Sequence, residues 1–390
     1  MRILFLIITS SLLCAPSSQA AERVSFDGGA DAAGLLLQAR AAASTMPDAA
    51  PAAPAPRPQA ARSMADFSHD ATPAEIRRAN DYNSTRHFPE GARAPFRPVE
   101  DTAQFAYILM SAYEQGGESA NLRKTIASNL PSGVKLLILA DSDEADRVRK
   151  KYLQWVPAER LIIAADEDTS TGFWARDSFP VPVYDDAAKK ASVVAARYYR
   201  DFTSWDAVAA GAHAPIVKKD FTFVGGNLMA DEDGNCFAVD SYRLFTATAG
   251  DLAAAYGCKT VRIMPHVHGI GDVDEVLKTL PGRRVLTNTP EYRASLESWG
   301  YKVVMLPTRP ETYRTYANAL IVRGTVFMPS YGGAADGEAR QVYESLGYKV
   351  VPIKTVSLSD DLHGSIHCQT MAYPPMPEKD LLKSLGLARL

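Results

Sequence analysis

Cys368 lies in the stretch Gly364-Ser365-Ile366-His367-Cys368-Gln369-Thr370, late in a chain of 390 residues. A cysteine in such a turn has three uses: apolar filler, half of a disulfide, or nucleophile. The last requires a thiolate in a polar, electropositive, partly open setting. His367 is adjacent in sequence, but neighbours in an extended segment point to opposite faces, so adjacency alone does not join the two. Three other stretches gather polar groups. GFWARDSFPVPV (172–183) places Trp174, Arg176 and Asp177 before a proline-interrupted strand. In FTFVGGNLMAD (221–231), Gly225 and Gly226 permit positive φ or close backbone approach, and Asn227 can orient a polar group. PHVHGIGDVDEVLKTLP (265–281) holds His266 and His268, which share a face if extended. In the same stretch Asp272 and Glu275 form a D-x-x-E pair before an apolar run read as helical, so Asp272 is a candidate N-cap, a role that leaves Asp274 unexplained. Taken singly, each stretch also reads as ordinary structure: an ion pair at a strand end, a bulge or hairpin turn, a helix cap.

Metal chemistry has a weaker basis. His266, His268 and an aspartate could ligate a metal, but their spacing follows no established pattern. The turn Asp231-Glu232-Asp233-Gly234 lacks a full calcium ligand set and reads as a solvated hairpin turn. No cofactor or metal is expected.

These residues need a scaffold. With 22% charged and 46% hydrophobic residues and a formal net charge of -3, the chain has the composition of a globular protein, and its charge gives no case for a nucleic-acid partner. Arg2, the run ILFLIITSSLL and the small-x-small pair Ser18 and Ala20 form a signal peptide over 1–20, too short in its apolar part to span a bilayer, so export to the periplasm or outside is expected, with no membrane partner. Residues 21–95 are an Ala/Pro-rich linker or pro-segment followed by a polar extension, with a short helix at ATPAEIRRANDYN, expected to wrap the surface. Residues 96–390 form the folded domain. Loss of Cys14 with the leader leaves Cys236, Cys258 and Cys368. Cys236 and Cys258 could pair, leaving Cys368 alone.

From about residue 97 short apolar runs alternate with amphipathic helical ones, as in KLLILAD then DEADRVRKKYLQW then RLIIAAD. Two helix–YKVV joints look like copies of each other, and ANALIVRGTVFMPS reads as a hairpin turning at Arg323-Gly324. The class is α/β with internal repetition, either a doubly wound sheet or a ring of repeated units.

Taken in order, the motifs resemble those of the guanidino-group-modifying enzymes, the agmatine deiminases and peptidylarginine deiminases: Trp174-Ala175-Arg176-Asp177, then Gly225-Gly226-Asn227, then Gly271-Asp272-Val273-Asp274-Glu275, then Ile366-His367-Cys368. TYANALIVRGTVFMPSYGG resembles the family's Y-A-N strand. The resemblance spans roughly 97–376 and implies a five-bladed, pentein-like α/β propeller with its site on the central axis. It implies Cys368 as nucleophile and Asp177 and Asp274 as a carboxylate clamp, which suits a planar, forked guanidinium. Arg176, Asn227 and Trp174 would shape the site. The family histidine falls on Asp272, and a glutamate found in the agmatine and free-arginine branches falls on Val224. Three accounts stay open: His268, or His266, supplies the proton; a protonated Asp272 does; or the chain binds arginine-like groups without turnover. The expected activity is hydrolysis of peptidyl-arginine to citrulline and ammonia, with a small guanidino compound such as agmatine as the alternative substrate.

Overall fold

The computed structural model describes residues 68–84, 95–166, 171–200, 217–308 and 311–390. The expected signal peptide and the Ala/Pro-rich stretch lie outside them. Among the described residues there are five separate sheets, and no helix is long and apolar enough to cross a membrane.

One unit recurs. In the sheet β8 (Met229–Ala230), β9 (Asn235–Asp240) and β10 (Thr260–Pro265), the first pair is antiparallel and the second parallel. A helix over Ala249–Tyr256 makes the crossover, started by a Thr248–Asp251 capping box and ended by Gly257 at φ 76°. The same order is found in β11 (Leu277–Leu280), β12 (Arg284–Thr287) and β13 (Lys302–Met305), with the PEYRASLES helical stretch between the last two. It is found again in β14 (Leu320–Val322), β15 (Thr325–Ser330) and β16 (Lys349–Lys354), crossed by a helix over Ala334–Ser345. The expected hairpin turns at Arg323 and Gly324, both at positive φ, the mirror-type turn that matches strand twist. The sheet β1 (Phe96–Pro98), β5 (Val181–Asp185), β6 (Lys190–Arg197) and β7 (Val217–Thr222) follows a related order.

The remaining sheet joins the two ends of the domain. Strand β17 (Met371–Tyr373) pairs antiparallel with β2 (Tyr107–Ser111), which continues in parallel to β3 (Lys135–Ala140) and β4 (Leu161–Ala165). The runs YILMS and KLLILA are buried along almost their whole length, as parallel strands covered on both faces must be.

Two expectations fail. VLKTLPG does not continue a helix: after one turn over Val273–Val276 the chain becomes β11. Pro281 and Gly282 turn it back, and Leu277 to Leu280 pair with Thr287 to Arg284, so hairpin pairing overrides the helical spacing. Nor does the N-terminal extension merely wrap the surface. Its helix forms over Pro73–Ser84, but His69, just before it, is fully buried.

Candidate active site

The candidate stretches, together with the Tyr316–Asn318 segment, occupy equivalent places. Each is a short turn entering the strand that begins its repeat: Ala175–Ser178 before β5, Gly225–Asn227 before β8, Val273–Val276 before β11, residues 315–319 before β14 and 364–370 before β17. Hydrogen bonds join the five turns in a closed cycle. The Gly226 N–H donates to Asp177 (3.0 Å), and the Val273 N–H to Asn227 Oδ1 (3.2 Å). The Thr315 hydroxyl donates to the Glu275 carbonyl, the His367 N–H to Asn318 Oδ1 (3.1 Å), and the Arg176 N–H to the Cys368 carbonyl (3.0 Å). A site at the centre of a ring of repeated units is what such a cycle builds. Gly226 is required here, because a Cβ would meet Asp177 at 2.7 Å and Asp272 at 2.9 Å.

Cys236 and Cys258 are bonded to each other, and Cys368 is the free cysteine among the described residues. Its sulfur takes a donor from Asn318 Nδ2 at 3.0 Å and lies 3.8 Å from Asp274 Oδ2. Burial, then the neighbouring Asp274 and Glu275, push the thiol well above its ordinary range. Asp274 Oδ2 meets His367 Nδ1 at 2.6 Å, and His367 Nε2 meets Asp101 at 2.9 Å. Asp101 lies 2.8 Å from Lys278. Burial opposes ionisation of Asp101, but Lys278 and His367 outweigh it and hold its carboxyl below the usual range. Asp274 Oδ1 is buried without a hydrogen-bond partner.

Asp177, the other residue expected in a carboxylate clamp, is already occupied. It accepts from Gly226, from the Arg243 guanidinium, and from His69 Nε2 at 2.6 Å. Arg243 forks onto Asp272, Nε to Oδ1 at 2.8 Å and Nη2 to Oδ2 at 2.7 Å. Its Nη1 donates to the His69 carbonyl at 2.9 Å. Burial disfavours the Asp177 carboxylate, but Arg243 and His69 hold its pKa low. At Asp272 burial wins over Arg243, with Asp177 adding repulsion, and the carboxyl is pushed up to about 8. Glu275 is raised for the same reason, burial first and then Asp272 and Asp274. His69, Asp177 and Asp272 have the composition of a metal site, with ligand atoms within 4.8 Å of one another. The cation they hold is a guanidinium.

The remaining expected residues are distributed as follows. Trp174 is buried, with the His69 ring stacked on it at 4.3 Å and 20°. Asn227 serves the backbone, bonding both to Val239 and to the Val273 N–H. Arg176 is buried, with Nε and Nη2 lacking hydrogen-bond partners. Asp272 sits at the N-cap position but makes no cap bond, because Arg243 takes both its oxygens. His268 faces Asn288 and Thr289 at 3.2 and 3.4 Å, and burial lowers its pKa. His266 is exposed and meets the Gly269 carbonyl. Neither ring has Cys368 among its hydrogen-bond partners. In the acidic turn, Asp231 is buried and bonds Asn235 and Tyr301, while Glu232 caps Gly282 and Asp233 pairs with Arg283.

Sequence reasoning did not name His69, Asp101, Arg243, Lys278, Asn318 or His367 as site residues, although His367 lay beside Cys368 in the quoted motif. Lys278 had a signal, a charge interrupting the apolar run VLKTL. Arg243 had an indirect one: a buried Asp272 in place of a ring needs a counterion.

Residues 287–374 match the model of the Porphyromonas-type peptidyl-arginine deiminase family. No curated protein matches the chain by sequence. Among solved structures, a protein from Porphyromonas gingivalis provisionally titled an arginine deiminase is 19% identical over 72% of this chain and 98% of its own, with TM-score 0.56. The agmatine deiminase of C. jejuni is 13% identical over 72% and 96%, TM-score 0.57. That of Enterococcus faecalis is 16% identical over 73% and 98%, TM-score 0.52. In its pentein-like α/β fold and in its matched C-terminal segment, the chain resembles the guanidino-group-modifying enzyme superfamily.

Proposed function

We propose that the protein is an exported hydrolase of the guanidino group of arginine within peptides or proteins, yielding citrulline and ammonia through Cys368. The observation that carries this reading is Asp274. Its Oδ1 is a buried acceptor without a donor, and its Oδ2 is 3.8 Å from the only free thiol among the described residues. A buried unpaired carboxylate oxygen costs about 1–3 kcal/mol or more, and a guanidinium N–H beside the sulfur would supply the missing donor. The same cation would favour the thiolate that burial now opposes.

In this reading Cys368 Sγ attacks the guanidinium carbon and the bond to one terminal nitrogen breaks, releasing ammonia. Water then attacks the amidino-thioether carbon, the C–S bond breaks, and the ureido product leaves with the thiol restored. The proton carrier is the Asp274–His367 pair, because His367 is hydrogen-bonded to the carboxylate nearest the sulfur. The exported leader and Val224 favour a peptide-borne arginine over free agmatine. A second reading, binding without turnover, is favoured by one observation: Asp177 and Asp272 already hold Arg243.

The test measures ureido product and ammonia from blocked peptidyl-arginine, free arginine and agmatine. Turnover on the peptide that vanishes in Cys368→Ala and falls in His367→Asn, with His268→Ala unchanged, supports the first reading. Absence of turnover with arginine-peptide binding retained supports the second.

A further inference from the structure

His69 makes two contacts that a substrate guanidinium would make: its flat ring lies on Trp174, and its Nε2 reaches Asp177. A planar N–H-bearing group stacked on an aromatic face and aimed at a carboxylate is the recognition pattern for a guanidinium. The ring is brought there by a segment belonging to no sheet. Its backbone is seated at several points. The His69 N–H donates to the Leu362 carbonyl at 2.7 Å, and the His69 carbonyl accepts from Tyr199 at 3.0 Å as well as from Arg243. Arg200 Nη2 donates to the carbonyls of Ser68 and Asp70 at 2.6 and 2.9 Å. Asp70 meets His363 at 2.7 Å, and Tyr313 stacks on that histidine at 3.8 Å. The loop running to Cys368 closes on the same place, since a Cβ on Gly364 would strike Trp174 at 2.5 Å.

We propose that residues 68–72 form an inhibitory strap, in which His69 fills the arginine pocket and the Asp70–His363 pair latches it. The proposal rests on the arginine-directed reading above. It accounts for a feature that reading leaves unexplained: Cys368, Asp274 and Asp177 are all buried, although a peptide-borne side chain would have to reach them. The strap precedes the helix over Pro73–Ser84 and pairs with no strand, so it can leave without breaking a sheet. Opening exchanges the imidazole for a substrate guanidinium on the same carboxylate.

The experiment compares the full exported chain with His69→Ala, His69→Gln and Asp70→Asn. Asp70→Asn weakens the latch while leaving the pocket residues intact, and all three variants are first checked for an unchanged near-UV spectrum. Three readouts are taken: the rate of Cys368 alkylation by iodoacetamide, the Kd for a blocked arginine amide, and ureido release. At least tenfold faster alkylation and tenfold tighter binding in Asp70→Asn and in one His69 variant is the expected result. That outcome without ureido product leaves the strap standing and removes the hydrolase reading. Equal alkylation and binding in all proteins overturns the strap, whether or not product forms. Loss of turnover in both His69 variants, with Asp70→Asn unchanged in every readout, also overturns it and makes His69 part of the catalytic machinery.

Discussion

Arg243→Met tests the electrostatic account of the site most directly. The guanidinium is fully buried between Asp177 and Asp272, with Asp274 and Glu275 also buried nearby. Breaking a buried pair by removing one partner costs about 3–5 kcal/mol, because an uncompensated charge stays behind. Here the residue left behind can take up a proton, so the cost depends on pH. Asp272 titrates near 8 in the fold and at about 3.9 unfolded. Between those values the folded state holds the extra proton, and stability falls as pH rises by up to about 1.4 kcal/mol per unit. Asp177 has the opposite sign, since its lowered pKa adds stability above the unfolded value that is lost on acidification. Without Arg243 both carboxyls shift upward: Asp272, already raised, stays neutral at pH 8, so the charge left unpaired there is that of Asp177, and it is relieved as Asp177 takes up a proton on acidification. Urea unfolding followed by tryptophan fluorescence is expected to give a loss of about 3–5 kcal/mol at pH 8 and less than about half of that at pH 5, with unchanged m. Asp272→Asn in the parent chain is expected to flatten the decline between pH 4 and 8. Equal losses at both pH values, or no loss at pH 8, would refute the reasoning.

Three further outcomes follow from the geometry. Replacing Cys236 and Cys258 by alanine removes a crosslink between residues 22 apart in sequence and is expected to cost about 3 kcal/mol in equilibrium unfolding. Gly257→Ala places a Cβ 1.9 Å from the Phe96 carbonyl oxygen at a positive φ, so a loss of about 2 kcal/mol or more is expected in the same assay. Asn318→Asp keeps an acceptor for the His367 N–H but turns the donor at the sulfur into an oxygen. Slower Cys368 alkylation, by about tenfold or more, and a rate profile displaced to higher pH are expected from the loss of a bond worth about 1.5–3 kcal/mol to a thiolate. An unchanged profile would mean that Asn318 only positions the loop.

Much of this was legible because it depends on local pattern. The strand–helix alternation, the Arg323-Gly324 hairpin and the Cys236–Cys258 pair follow from periodicity, turn residues and spacing, whereas the four motif stretches stood out together only through their resemblance to the guanidino-group-modifying enzymes. The failures share a cause. VLKTL has the composition of a helix and becomes β11 only because Pro281-Gly282 and Arg284–Thr287 offer a partner strand. His69 sits in a polar segment with no periodicity, and its burial depends on Trp174, Asp177 and Arg200, all more than a hundred positions away. His268 was favoured for its closeness in sequence to Asp272, yet Gly269 and Gly271, both at positive φ, turn the chain between them.

The pairing of β17 with β2 has a consequence for the order of events in the cell. Cys368, His367 and β17 are all made after the other four turns of the cycle and after β2, the strand that β17 pairs with. Until then β2 lacks its antiparallel neighbour, Asp274 faces no thiol, and the cycle of turns lacks its closing bond to Arg176. Contacts so distant in sequence form slowly. A chain cut before residue 364 therefore keeps Asp177 and Asp274 but has neither Cys368 nor the bonds that close the cycle.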